Sequence, residues 1–220
     1  MSKIVWDQLG KKLYETGIDR GVLYPQVDGT YPKGVPWNGL TAFNESPSGA
    51  EPTALYANNT KYLTLMSNED YGFTIEAYTY PEEWSECDGS KAAVAGVYIA
   101  QQTRKPFGFT CRTLIGSDGD STDHGYKLHL VYGAMAKPSE RSYATVNDSP
   151  EAITFSWECD TTPVEVPGFK RTSCLTIDST KCDTDKLTAL EAVLYGSNDK
   201  DASLPTPAEV LAMLGYTAQD

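Results

Sequence analysis

Residues 71–80 read YGFTIEAYTY. In an extended chain Tyr71, Phe73, Ile75 and Ala77 share one face and Thr74 and Glu76 the other, because successive strand side chains point to opposite sides. The same period returns in HGYKLHLVYG (124–133), where Tyr126, Leu128, Leu130 and Tyr132 alternate with Lys127, His129 and Val131. In ITFSWECD (153–160), Ile153, Phe155, Trp157 and Cys159 alternate with Thr154, Ser156 and Glu158. PFGFTCRTLIG (106–116) sets Phe107, Phe109, Cys111 and Ile115 on one side, and TSCLTIDS (172–179) pairs Leu175 with Ile177. Weaker strand patterns cover 3–6, 11–15, 20–25, 35–43, 61–66 and 93–100. Half-buried strands of this kind build antiparallel sheets with one core face and one polar face. Punctuated by Gly and Pro, they predict a mainly β chain with two packed antiparallel sheets, a sandwich or barrel.

Two helices carry readable caps. DTDKLTALEAVLYG has Asp183 as N-cap and ends at Gly196, and its Leu187, Leu190 and Leu194 form one apolar stripe. TPAEVLAMLG has Thr206 as N-cap, Pro207 at the first helical position and Glu209 three residues after the cap, the pattern of a capping box. This predicts a short helix over 206–215. GSNDKDASLP (196–205) reads as a linker, and a further short helix is expected from Pro81. Residues 44–60 read as a long connection between strands, a length that usually marks a functional loop. The expected organisation is a β-domain over 1–195 with an N-terminal arm at 1–25, then an extension over 196–220.

The 220 residues carry 18 Lys+Arg against 30 Asp+Glu, a net charge of −12. A reader of nucleic acid needs a basic face to hold phosphates, so that class is disfavoured. Docking on anionic lipid is disfavoured on the same ground. No apolar run reaches the ~18–20 residues of a membrane helix, and the first residues lack the apolar run of a secretory leader. Cys87, Cys111, Cys159, Cys174 and Cys182 are odd in number and show no CxxC spacing, so they read as free thiols in a reducing compartment. A compact chain of this size would expose roughly 10,000 Å².

The chemical searches come back empty. Asp118, Asp120 and Asp123 resemble the start of a calcium loop but lack the glycine and the closing glutamate it requires. Glu82, Glu83 and Glu86 beside Trp84 sit too close along the chain to straddle a glycosidic bond. They read instead as acids at the start of a short helix. His124 and His129 are five apart on a strand, so they face opposite ways and cannot share a metal. No catalytic role, metal or cofactor is expected.

Six segments carry a resemblance. They are WDQLGKKLYETGIDRGVLYP, GVPWNGLTAFNESPSGAEPTALYANN, FTIEAYTYPEEW, QQTRKPFGFTCRTLIG, YKLHLVYGAMAKPSE and VNDSPEAITFSWECDTTPVEVPG. In this order, across roughly residues 1–195, the chain resembles the major tail (tail tube) proteins of phages and prophages with long, non-contractile tails. The resemblance implies a β-sandwich flanked by a helix, with a long hairpin loop. It implies hexameric rings stacked into a hollow tube around a tape measure protein, a tail terminator and distal tail proteins as further partners, and passage of double-stranded DNA. The location it implies is the virion tail, assembled in the host cytoplasm.

On this reading 44–60 matches the long loop between rings and 3–24 the arm. The expected contacts between subunits or rings are Trp6, Leu13, Tyr14, Leu23 and Tyr24 in the arm, and Pro47, Leu55 and Tyr56 in the loop. For Trp6 the residues themselves leave two readings open, an intersubunit contact or a first strand on the parent sheet. DNA must not adhere to the wall of its conduit, so polar-face acids such as Glu76, Glu158 and Asp178 are candidates for the channel, with outward solvent as the equal alternative. The competing classes are an acidic β-sandwich that binds a carbohydrate or receptor, and a hydrolase with an unrecognised carboxylate pair.

Overall fold

A computed structural model gives the architecture, and it describes residues 3–146, 148 and 151–216. The strands before the first helix are β1 (Leu13–Pro25), β2 (Val35–Pro36), β3 (Leu40–Glu45), β4 (Ser48–Gly49), β5 (Pro52–Ala57), β6 (Thr60–Met66), β7 (Glu69–Asp70) and β8 (Gly72–Ala77). Helix α1 (Trp84–Cys87) precedes β9 (Lys91–Val94), β10 (Val97–Ile99), β11 (Phe107–Ser117), β12 (Ser121–Ala136), β13 (Phe155–Thr161) and β14 (Cys174–Asp178). Helices α2 (Thr184–Leu194) and α3 (Pro207–Met213) close the chain. The expected mainly β, antiparallel class is what forms.

Eight strands make one sheet in the order β2-β1-β11-β12-β13-β8-β3, with β14 also on β12. The two layers are two halves of this sheet, and β12 belongs to both. Its residues 127–131 pair with β14, and its residues 134–136 pair with β13. Between them stands Gly133 at φ +60. Opposite it β11 runs from Phe107 to Phe109 while β12 runs from Ala134 back to Val131, so β12 holds one extra residue. This bulge bends the strand and resets its alternation, so that Val131, Ala134 and Ala136 all face one core. A Cβ at Gly133 would collide with the Thr162 carbonyl oxygen.

One side of the sheet encloses an aromatic core. Trp37, Trp84 and Trp157 meet there, with ring centroids 4.7 to 5.6 Å apart, and Phe73, Phe107 and Phe109 extend the cluster. The Trp37 indole N–H donates to the Thr79 carbonyl at 2.9 Å. The other side is covered by the helices. Leu128, Leu130, Tyr132 and Ile177 from the sheet pack against Leu187, Leu190 and Leu194 of α2, with Leu204 and Val210. The Tyr24 hydroxyl donates to the Leu194 carbonyl at 2.7 Å and pins α2 to β1. Burial pushes that hydroxyl's pKa up.

Both capped helices form as their sequences predict. Asp183 accepts from the backbone N–H groups of Asp185 and Lys186, and Thr206 with Glu209 closes a capping box. Three expectations change. No strand forms over 3–6, and β1 is one strand from Leu13 rather than separate pieces of an arm. Register shifts after Thr16 and Asp19, with Gly17 and Arg20 at positive φ, break the period that would have revealed it. At the second shift Asp19 and Arg112 form a two-bond ion pair at 2.5 and 2.7 Å. The supposed linker 196–205 is docked: Gly34 N–H donates to Ala202, Leu204 N–H donates to Tyr31, and Leu204 is buried.

Candidate assembly surfaces

Among the described residues, the following three segments carry large apolar side chains in solvent. The first is residues 3–12, which carry Ile4, Val5, Trp6 and Leu9 in solvent. Its C-terminal end is held at the β11–β12 turn, where Asp118 accepts from the Gly10 N–H at 3.1 Å.

The second lies where a loop was expected. β4 pairs with β7, and β5 pairs with β6 beyond them, so residues 48–70 form one long hairpin. Asn58 and Asn59 both have positive φ, the conformation of a two-residue turn whose twist suits a hairpin. Leu55 stands opposite Leu63. Every residue of β5 and β6 except Ala54 is exposed, including Tyr56, Tyr62, Leu65 and Met66. The third segment is the β9–β10 hairpin, whose Val94, Val97, Tyr98 and Ile99 are also in solvent. Asp88 anchors its root, almost buried between Arg104 at 3.5 Å and Arg141.

The sequence-predicted contact residues divide accordingly. Trp6, Leu13, Tyr14, Pro47, Leu55 and Tyr56 are at the surface. Leu23 and Tyr24 are not: Leu23 is in the aromatic core and Tyr24 is under α2, both fully buried. Their strand is internal to the sheet, so these two take no part in a surface. The sequence reading missed Tyr62, Leu63, Leu65 and Met66, although the Asn58–Asn59 pair was a turn signal between them. It also missed the β9–β10 hairpin as a protrusion.

At the root of the long hairpin lies a polar cluster. Glu45 ends β3, and Tyr71 precedes β8. The Tyr71 hydroxyl donates to Glu45 Oε1 at 2.7 Å, joining the two legs. His129 of β12 lies beneath them, with Nδ1 3.9 Å from the same oxygen and Nε2 3.0 Å from Thr113 Oγ1. Burial lowers the His129 pKa, and the Glu45 carboxylate opposes that shift. Burial raises the pKa of the Tyr71 hydroxyl and of the neighbouring Cys174 and Cys111 thiols.

The three candidate channel acids do not share a surface. Glu76 and Glu158 alternate with core residues Ile75, Trp157 and Cys159, so they lie on the side of the sheet away from the aromatic core. Asp178 pairs in register with Lys127, in line with His129 and Val131, on the aromatic-core side. Its carboxylate is held by Thr180 at 2.6 Å and Lys181 at 3.0 Å. The Thr180 hydroxyl bond, chiefly, lowers its pKa. The acids that join Glu158 on its face include Asp160, paired with Lys137 at 2.7 Å.

The remaining candidates have plain structural partners. Glu86 pairs with Lys105 at 3.1 Å, Glu82 accepts from Tyr98 at 3.4 Å, and Trp84 is in the core. Asp120 pairs with His124 at 3.2 Å, and Ser117 Oγ accepts from the Gly119 and Asp120 N–H groups to shape the turn. Among the described residues no three His, Cys, Asp or Glu side chains cluster as metal ligands would, and no helix is long and apolar enough to cross a membrane.

No protein-family model and no curated protein matches the chain. Among solved structures, one similar chain comes from the PVC sheath-tube complex of an extracellular contractile injection system in its extended state. It is 11% identical, covers 72% of this chain and 88% of its own length, and has a TM-score of 0.30.

Proposed function

We propose that the chain is a non-catalytic structural subunit that assembles with copies of itself into a phage-type tail tube. Copies join laterally into rings, six to a ring as the resemblance implies. The rings stack around a tape measure protein, between distal tail proteins and a terminator. The tube then conducts double-stranded DNA, and the chain is a virion component assembled in the host cytoplasm.

One observation carries this reading. The chain of 24.0 kDa exposes 14491 Å². A compact monomer of that mass exposes roughly 10,000 Å². Obligate interfaces bury about 2,000–5,000 Å² summed over both partners, or about 1,000–2,500 Å² from each, so an excess of roughly 4,500 Å² on one chain is on the scale of more than one such interface per subunit. The three protruding segments contribute to it and place Trp6, Leu9, Tyr62, Met66 and Ile99 in water. A two-stranded hairpin is marginal by itself, and large exposed apolar groups mark surfaces to be covered.

A sugar- or receptor-binding module fits less well. The groove of about 380 Å³ between Val27–Val35 and α1 is lined by Pro25, Pro32, Glu82, Glu86 and Tyr98 rather than by a row of aromatic rings.

Sedimentation velocity and negative-stain microscopy over a concentration series of the purified chain test the proposal. Rings or tubes of uniform width are expected as concentration rises. Monodisperse monomers at every concentration, with or without tape measure protein, would overturn it.

A further inference from the structure

The long hairpin contributes no buried residue to either core, so its attachment to the body depends on its root. That root is the Glu45–Tyr71–His129 cluster. The His129 side chain is 11% exposed, and its Nδ1 has no hydrogen-bond partner. A buried imidazole with one satisfied nitrogen carries an unmet donor or acceptor in either neutral tautomer. A carboxylate oxygen able to meet it, Glu45 Oε1, lies 3.9 Å away, beyond hydrogen-bond reach but close enough to be drawn in. Glu45 is itself 44% exposed, and its Oε1 is held by the Tyr71 hydroxyl.

We propose that His129 is a proton-operated latch on the long hairpin: its protonation draws the Glu45 carboxylate into a charge-assisted hydrogen bond and locks both hairpin legs to β12. One bond reaches both legs because Oε1 already accepts from Tyr71, which opens β8's side of the hairpin, while Glu45 ends the β3 side. At neutral pH the imidazole is uncharged, the 3.9 Å gap stays open and the hairpin pivots at its root. Below the ring's titration the gap closes and the pivot stiffens.

The surroundings favour this assignment. On β12 itself the charged neighbour is Lys127, which is paired with Glu15 of β1. From β11, Thr113 and Cys111 face the ring, and from β14, Thr176 and Cys174 do. β3 contributes Phe43, with ring centroids 6.2 Å apart, and Glu45. Glu45 is thus the carboxylate placed to answer a proton on Nδ1. Burial holds the ring's titration below its ordinary value, so the switch works on the acid side of that value. The inference is independent of whether the chain builds a tube, since it concerns the monomer.

The chain has two histidines, which makes the test direct. NMR of the full-length monomer between pH 4.5 and 8 tracks both imidazoles, and amide hydrogen exchange over residues 48–70 is corrected for its intrinsic pH dependence. Hairpin protection is expected to rise about tenfold as His129 titrates, the scale of one charge-assisted hydrogen bond. Glu45→Gln keeps an acceptor for Tyr71 but removes the charge, so it is expected to abolish the rise and to lower the His129 pKa further. Flat protection in the wild-type chain across the His129 titration would overturn the latch. So would a rise that follows His124 instead, or one that survives in Glu45→Gln.

Discussion

Replacing Tyr62 and Met66 together with threonine separates folding from assembly. Both residues lie on β6, Met66 opposite Pro52 and Tyr62 as the extra residue of the register shift between Leu55 and Tyr56. They are 71% and 69% exposed, so the monomer gains little from them. Fully burying a side chain of this size contributes about 1.5–3 kcal/mol. With some 70% of that still available, docking of the hairpin would lose about 1–2 kcal/mol per residue, or about 2–4 kcal/mol for the pair. At about 1.4 kcal/mol per tenfold, the constant for each docked hairpin falls roughly 30- to 700-fold. Threonine suits a strand, so the hairpin itself should persist. Urea unfolding of the monomer is expected to change by less than about 1 kcal/mol, as surface changes do. The critical concentration for tube formation, read by pelleting and microscopy, is expected to rise by the factor above. A critical concentration within about threefold of wild type, a difference under ~0.7 kcal/mol, would refute the claim that these side chains are covered on assembly. A loss of monomer stability approaching the docking figure would refute the claim that the hairpin stands outside the core.

Gly133→Ala is expected to destabilise the monomer by about 2 kcal/mol or more in urea unfolding, because it sets a side chain at φ +60 against the Thr162 carbonyl oxygen. Asp88→Ala leaves Arg104 and Arg141 without their shared, nearly buried carboxylate, and a loss of about 3 kcal/mol is expected by the same assay. Thr206→Ala removes the cap of α3 and is expected to cost about 1 kcal/mol in thermal or urea unfolding. The capping box also carries a pH signature. Bonds from the Thr206 backbone and hydroxyl lower the Glu209 pKa below its ordinary 4.5. Its contribution is therefore present above pH 4.5 and lost as pH falls through the lower folded value. The acid limb of the stability profile should be shallower in Glu209→Gln than in wild type.

Where burial differs between two faces, the sequence announces it. The alternation in 71–77 and in 155–159 is the alternation of core and surface on β8 and β13. Both helix caps were likewise legible, because a cap is a local contract between residues two or three apart. Elsewhere the signal is absent for definable reasons. β1 carries extra residues at Gly17 and near Arg20, and each insertion shifts its pattern by a face. β5 and β6 are exposed on both faces, so no contrast exists for a period to record. Leu204 is buried by contacts with Tyr31, far away in sequence, and its polar neighbours disguise it. The exposed apolar residues were half visible: Trp6 stood out as an aromatic in a poorly alternating arm, and Leu55 and Tyr56 entered only through the long loop that the resemblance implies. Tyr62 and Met66 were absorbed into an ordinary strand.

The division between core and appendage also bears on the chain's acidic balance. Net charge of −12 is tolerable in a monomer whose stability rests on a buried aromatic cluster, since the charges stay hydrated. Copies brought side by side must face that charge at close range. The ion pairs within the chain, Lys137 on Asp160, Lys127 on Glu15, Lys105 on Glu86 and Arg112 on Asp19, leave that net charge as it is but neutralise their own stretches of surface. Glu76 and Glu158, by contrast, lie diagonally across β8 and β13 with Thr74 and Ser156 as their cross-strand neighbours. Their face therefore resists close approach by another acidic surface, and more so at low salt. If copies assemble, that face is better suited to a water-filled space or the outer surface than to a contact. The β5–β6 and β9–β10 strand pairs, which carry no Asp or Glu, and the N-terminal segment are the surfaces on which contact costs least. Asp178, on the other side of the sheet and tied to Lys181, belongs to neither group, so reversing its charge should disturb the β14 end locally rather than a shared acidic face.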